Sequence, residues 1–168
     1  MLPSCDNSKA KYEYFANEIS LSFGVVDALG ASEITPDELF YLINDRYDKS
    51  SGQRTDDGII ILYGWKKDNK YTLSEEEDFY CCAMYDFNRN PNHLTLSNIG
   101  MVYESSSPDD VNMFYTIAME NLTPMMARWG FEMNEDLKTP TKKYFYKGSE
   151  QITIFKEEQK VTFLKNFP

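Results

Sequence analysis

One histidine stands in this chain, His93, and the cysteines in reach of it along the sequence are the adjacent pair Cys81 and Cys82. A thiolate nucleophile needs a base within hydrogen-bond reach. A hairpin turning at 88–92 would bring residues 81 and 82 towards residue 93. Neither cysteine sits in a cysteine-hydrolase pattern, so the expectation is two packed thiols and a surface histidine, with no catalytic residue assigned.

Other chemistries lack their residues. There is no C-x-x-C or H-x-x-x-H for a transition metal, and a tetrahedral site needs such soft or imidazole ligands. The pairs Asp56-Asp57 and Asp109-Asp110 lack the alternating ligands and fixed glycine of a calcium loop. Gly58, Gly64, Gly100, Gly130 and Gly148 are scattered singly, so no glycine-rich phosphate loop is written. No metal or cofactor is expected. If carboxylates did catalyse a reaction, Asp56, Asp57 and Tyr63 would be the first suspects, placed beside one expected strand.

The distinctive chemistry is clustered acid: Glu75, Glu76, Glu77 and Asp78; Glu104 with Asp109 and Asp110; and Glu132 with Glu135 and Asp136. Formal charge is -10 overall. Residues 138–168 carry seven lysines against three glutamates, so they hold +4 and residues 1–137 hold -14. Such a field repels phosphate backbones and speeds encounter with cationic proteins. Direct nucleic-acid binding is therefore not expected.

These groups are positioned by elements legible in the pattern. Tyr12, Phe15, Ala16, Ile19, Phe23 and Val26 recur at helical spacing and predict a helix over 8–29 behind a flexible arm of residues 1–7, with Gly30 ending it. Thr35-Pro36-Asp37-Glu38, with Ile34 and Leu39 flanking the cap, is a complete helix start and predicts a second helix to residue 47. Residues 48–57, with Ser-Ser-Gly and two aspartates, predict a surface loop. The apolar run 58–65 predicts a central strand buried on both faces, and 66–70 a turn.

Residues 74–87 contain both a capping box and an alternating pattern. The Pro91 turn that follows, and the apolar segments 94–96 and 99–103 beyond it, favour a strand and a hairpin. Ser107-Pro108-Asp109-Asp110 starts a third helix whose stripe is Val111, Phe114, Tyr115, Ala118 and Leu122; Thr123-Pro124 kinks or restarts it, and Gly130 terminates it. From residue 142 the period becomes two, and 142–147, 151–156 and 160–165 predict a meander. The +4 of these strands would then sit on a meander projecting from the acidic body.

Ala127-Arg128-Trp129-Gly130-Phe131-Glu132 after a helix, with a late strand near 143–147, resembles the closing helix-turn-strand of the GNAT acyltransferase family over about a fifth of the chain. The resemblance implies a basic, glycine-bearing loop for an acyl-carrier pyrophosphate ahead of the third helix. Acids stand there instead, and they would repel it.

A length of 168 residues, 42% apolar, suits one domain with a full core. The expected class is α+β: a single domain with a mainly antiparallel, possibly mixed sheet of five or six strands covered by about three helices. Cys5, Cys81 and Cys82 make an odd count, and bonding adjacent residues 81 and 82 would strain the ring, so a reducing cytoplasmic setting is expected. No basic leader or membrane-length apolar run is present. Acid to attract, 12 Tyr and 11 Phe to grip, and no reactive constellation together describe a binder of a basic protein. The leading expectation is a bacterial immunity protein, an inhibitor that neutralises a cationic, nuclease-type toxin domain by direct binding. Its alternatives are a nucleic-acid mimic that blocks a DNA-binding enzyme, and a small carboxylate enzyme carrying the acyltransferase-like tail.

Overall fold

The computed structural model describes residues 3–30, 33–87 and 94–167. The chain is α+β, with helices on one face of a wholly antiparallel sheet. That sheet has eight strands rather than five or six, in the order β1-β2-β3-β4-β8-β7-β6-β5. Two four-stranded meanders, each preceded by a long helix, meet at the β4/β8 seam, so the strand order is symmetric about it. No sequence repeat announces this pairing. Among the described residues no helix is long and apolar enough to cross a membrane.

The first helix, α1 (Pro3–Leu29), buries its whole expected stripe, Tyr12, Phe15, Ala16, Ile19, Phe23 and Val26. It begins at Pro3 rather than at residue 8, so residues 3–7 are helical and not an arm; proline tolerates a first helical turn because its missing N–H has no partner there anyway. Gly30 closes it at φ +83°. The start of α2 (Pro36–Ile43) is as expected, with Glu38 N donating to Thr35 Oγ1 at 3.2 Å and Thr35 N to Glu38 Oε2 at 3.0 Å. It stops four residues short of the expected end. Tyr47 is instead the fully buried first residue of β1 (Tyr47–Arg54).

The segment expected as a loop at 48–57 is therefore mostly a strand. Its side chains are exposed and carry no apolar signal, and its order comes from backbone bonds to β2 (Gly58–Trp65), with a bulge between Lys49 and Ser51. β2 is the expected strand, but it lies one place from the sheet edge, and its buried side chains, Ile61 and Tyr63, are on the helix side alone. Its pairing with β3 (Glu77–Asp86) is tight at one end: a Cβ on Gly58 would lie 2.0 Å from the Tyr85 carbonyl oxygen. Gly58→Ala is expected to cost about 1–3 kcal/mol in urea denaturation. An unchanged midpoint would show that this end of the ladder opens freely.

The ambiguous 74–87 segment is β3, and β4 (Thr95–Ser105) pairs with it antiparallel, as the hairpin expectation requires. The expected turn at 88–92 lies outside the described residues. α3 (Pro108–Arg128) passes through Pro124 as one helix, ends with Gly130 at φ +89°, and packs along α1. The short β5 (Glu132–Met133) precedes β6 (Lys142–Lys147), β7 (Glu150–Lys156) and β8 (Lys160–Asn166). The last three are the expected meander. They do not project from the body, because β8 forms a full ladder with β4 and places them in the same sheet.

Between sheet and helices lies a core rich in aromatic contacts. Phe15 stacks on Phe79 at 4.7 Å, Phe114 meets Tyr103 at 4.5 Å, and Trp65 is edge-on to Phe15 and Tyr47. All of these sheet residues occupy the same alternate positions, so the intervening positions form the opposite face. No helix covers that face among the described residues.

Candidate protein-binding surface

The ladder register lays out the helix-free face in rows. Asp78 on β3, Glu104 on β4 and Lys160 on β8 are cross-strand neighbours at one end. The next row is Gly64, Tyr80, Val102, Thr162, Phe155 and Lys142; then Leu62, Cys82, Gly100, Leu164, Thr153 and Tyr144; then Ile60, Met84, Asn98, Asn166, Gln151 and Tyr146. Tyr80, Cys82, Leu164, Phe155 and Tyr144 are half-buried without any helix above them, and Met84 is exposed. Period-two alternation sends half of each strand here, and those residues are more apolar than a solvated sheet face requires.

At the charged end a recess of about 670 Å³ opens between three segments: the turn into β3, the end of β4 and the β7–β8 turn. Glu75, Glu76, Asp78, Glu104, Glu157 and Glu158 line it together with Glu77, and Lys160 is the one lining ammonium. Backbone bonds hold the three segments together, Ser106 N donating to Glu76 O at 3.1 Å and Ser105 N to Gln159 O at 3.0 Å. Burial, then the neighbouring Glu104 charge, raises the Asp78 carboxyl above its usual range. The Tyr80 hydroxyl donates to Glu104 Oε1 at 2.9 Å, and burial together with that bond raises its phenol.

Glu77 differs from its neighbours in sequence. Its side chain turns to the helix side, where Lys11 Nζ donates to Oε1 at 2.7 Å, Tyr103 Oη donates to Oε2 at 2.5 Å, and Ser74 N donates to Oε1 at 3.2 Å. Burial pushes its carboxyl upward, but those bonds outweigh burial and hold it below the usual range. Its charge is thus committed to joining α1, β3 and β4.

The structure brings together only part of the acid expected from the sequence. Glu75, Glu76, Asp78 and Glu104 converge, and Glu157 and Glu158, hidden in the basic C-terminal stretch, join them because β8 pairs with β4. Asp109 and Asp110 begin α3 outside the recess, with Asp110 N bonded to Ser107 Oγ and its carboxylate near Tyr12. Glu132 lies on β5, four strand positions from β4 and about 19 Å away at ~4.8 Å per strand. Glu135 is paired with Lys138 at 2.9 Å, and Asp136 is exposed in the same loop.

The chain matches no protein family, no curated protein and no solved structure. Cys81 is buried on the helix side and Cys82 half-buried on the other, and burial raises both thiols, which disfavours the thiolate. His93 lies outside the described residues. Asp56 and Asp57 occupy the exposed β1–β2 turn, whereas Tyr63 lies near the far end of β2, buried with its hydroxyl on the Pro36 carbonyl at 3.3 Å; six residues of strand, about 20 Å, separate them. No group of three or more metal-ligating side chains occurs among the described residues. The acyltransferase-like tail runs from α3 through the two-residue β5 to β6, and the helix start ahead of it holds Ser107 as cap with Asp109 and Asp110 in its first turn.

Proposed function

We propose that this protein is a non-enzymatic inhibitor of the immunity type, which captures a cationic protein such as a nuclease-type toxin domain at its acidic recess. One observation carries the reading: six outward-facing carboxylates from three separated segments converge on one rim, with a single ammonium among them. Concentrated charge of one sign beside a half-buried aromatic sheet suits rapid electrostatic capture followed by apolar retention. Phosphate-bearing partners are repelled by the same field.

Affinity capture with the tagged chain from its native cell, at low and at high salt, is expected to retain one basic protein at both. Recovery of none overturns the reading. With that protein in hand, Glu75→Gln, Glu76→Gln, Asp78→Asn and Glu104→Gln combined should slow association about tenfold or more and change dissociation far less. An unchanged association rate would remove the recess from the mechanism.

A further inference from the structure

The acids account for attraction and leave the grip unassigned. We infer that the helix-free sheet face is the docking surface itself, and that its occupant is a protein surface presenting aliphatic and aromatic side chains bordered by Lys or Arg. This rests on the capture reading and extends it from the recess to the whole face.

Composition is the first support. From β2 to β7 the three rows behind Asp78, Glu104 and Lys160 contain no charged residue, although 26% of the chain is charged. Their partly or fully exposed apolar members are Leu62, Ile60, Tyr80, Cys82, Met84, Leu164 and Phe155, with buried Val102 and with Gly, Thr, Asn and Gln between them. A solvent-facing sheet ordinarily alternates to charged and polar residues, and an uncharged face this rich in apolar side chains marks an interaction site.

Size is the second. Five strands about 4.8 Å apart and three rows about 6.8 Å apart give on the order of 500 Å², and Tyr144 and Tyr146 on β6 together with the recess extend the surface towards the ~800 Å² per partner of a stable interface.

Charge placement is the third and selects the occupant. The acidic rim is continuous with the apolar rows through Tyr80, whose ring lies in the first apolar row and whose hydroxyl bonds Glu104. A partner seated on the rows therefore has its edge at the recess, where cations are favoured and anions are not. A second copy of this chain, itself at -10, brings like charge to the encounter.

The test uses three short synthetic peptides on the full, isotope-labelled chain: a Trp-Leu block followed by a Lys-Arg run, the same run with the block replaced by Ser, and the block followed by Glu. The first is expected to bind at least about tenfold more tightly than the second, which amounts to a few buried methylenes. It should shift the amides of Tyr80, Val102 and Leu164 as well as those of the recess. Tyr144→Ser and Leu164→Glu, each checked for folding by its amide spectrum, should reduce it towards the level of the Ser peptide.

Equal binding of the first two peptides, with shifts confined to residues 75–78 and 157–160, overturns the docking face and leaves the recess intact. Binding of neither, together with failure of native capture, overturns both. Concentration-dependent dimerisation that shifts the same sheet amides without peptide would replace the proposed occupant by a second copy.

Discussion

Glu77→Gln is expected to lower stability by about 2–3 kcal/mol at neutral pH, although Glu77 stands within a run of four acids whose other members can be neutralised at little structural cost. The carboxylate accepts from Lys11, Tyr103 and Ser74, and its side chain is only 3% exposed. The amide removes the charge opposite Lys11 and one of the two acceptor oxygens. A buried donor left without its acceptor costs about 1–3 kcal/mol, and more where a charge loses its partner.

The pH dependence follows from the sign of the shift. Because the folded-state carboxyl is held below its usual range, its contribution is complete above the unfolded-state value of about 4.3 and is lost as pH falls through the lower folded-state value. Urea denaturation of both proteins should thus show a full gap at pH 7 that closes below about pH 4. A gap of the same size at both ends would mean that packing, not charge, accounts for it. Glu18 has the opposite sign: burial raises its carboxyl despite the ion pair with Arg46, so its uptake of a proton on acidification stabilises the fold and partly offsets the loss at Glu77.

A second large effect is expected on the other side of the core. Lys165 has no exposed surface, sits among the rings of Trp129, Phe131 and Phe167, and pairs with Asp27 from α1, with Glu150 farther off at 3.9 Å. Asp27→Ala should cost about 3 kcal/mol, the lower end for leaving a buried charge without its partner, since Glu150 is near. Lys165→Met should be close to neutral, because an apolar chain of similar length fills the same aromatic box. In the Lys165→Met background Asp27→Ala should then cost less than about 1 kcal/mol. Equal costs in the two backgrounds, read from denaturation midpoints, would show that the pair is not coupled.

These two sites also mark where sequence reading ends. Glu77 is indistinguishable in sequence from Glu75 and Glu76, yet Asp78 and Glu104 look outward while Glu77 looks in, because strand alternation assigns faces only once the register is known. Lys165 reads as one more lysine of a basic tail, and it is the most buried cation of the described residues. Asp27 is 138 positions away from it.

Local signals determined much of the rest from sequence alone. The apolar stripes of α1 and α3, the Thr35 and Ser107 caps, the terminating Gly30 and Gly130, and the strands of the β3–β4 hairpin and the C-terminal meander are all written in spacing and residue type along neighbouring stretches of chain. Tertiary structure alone decided what depends on distant backbone. It made a strand of exposed residues 48–54 through the ladder to β2, and it joined β8 to β4, so that Glu157 and Glu158 entered the acidic rim while Glu132, Glu135 and Asp136 were left outside it. Backbone hydrogen bonds carry no side-chain signature, and the seam where two meanders meet leaves no periodicity to read.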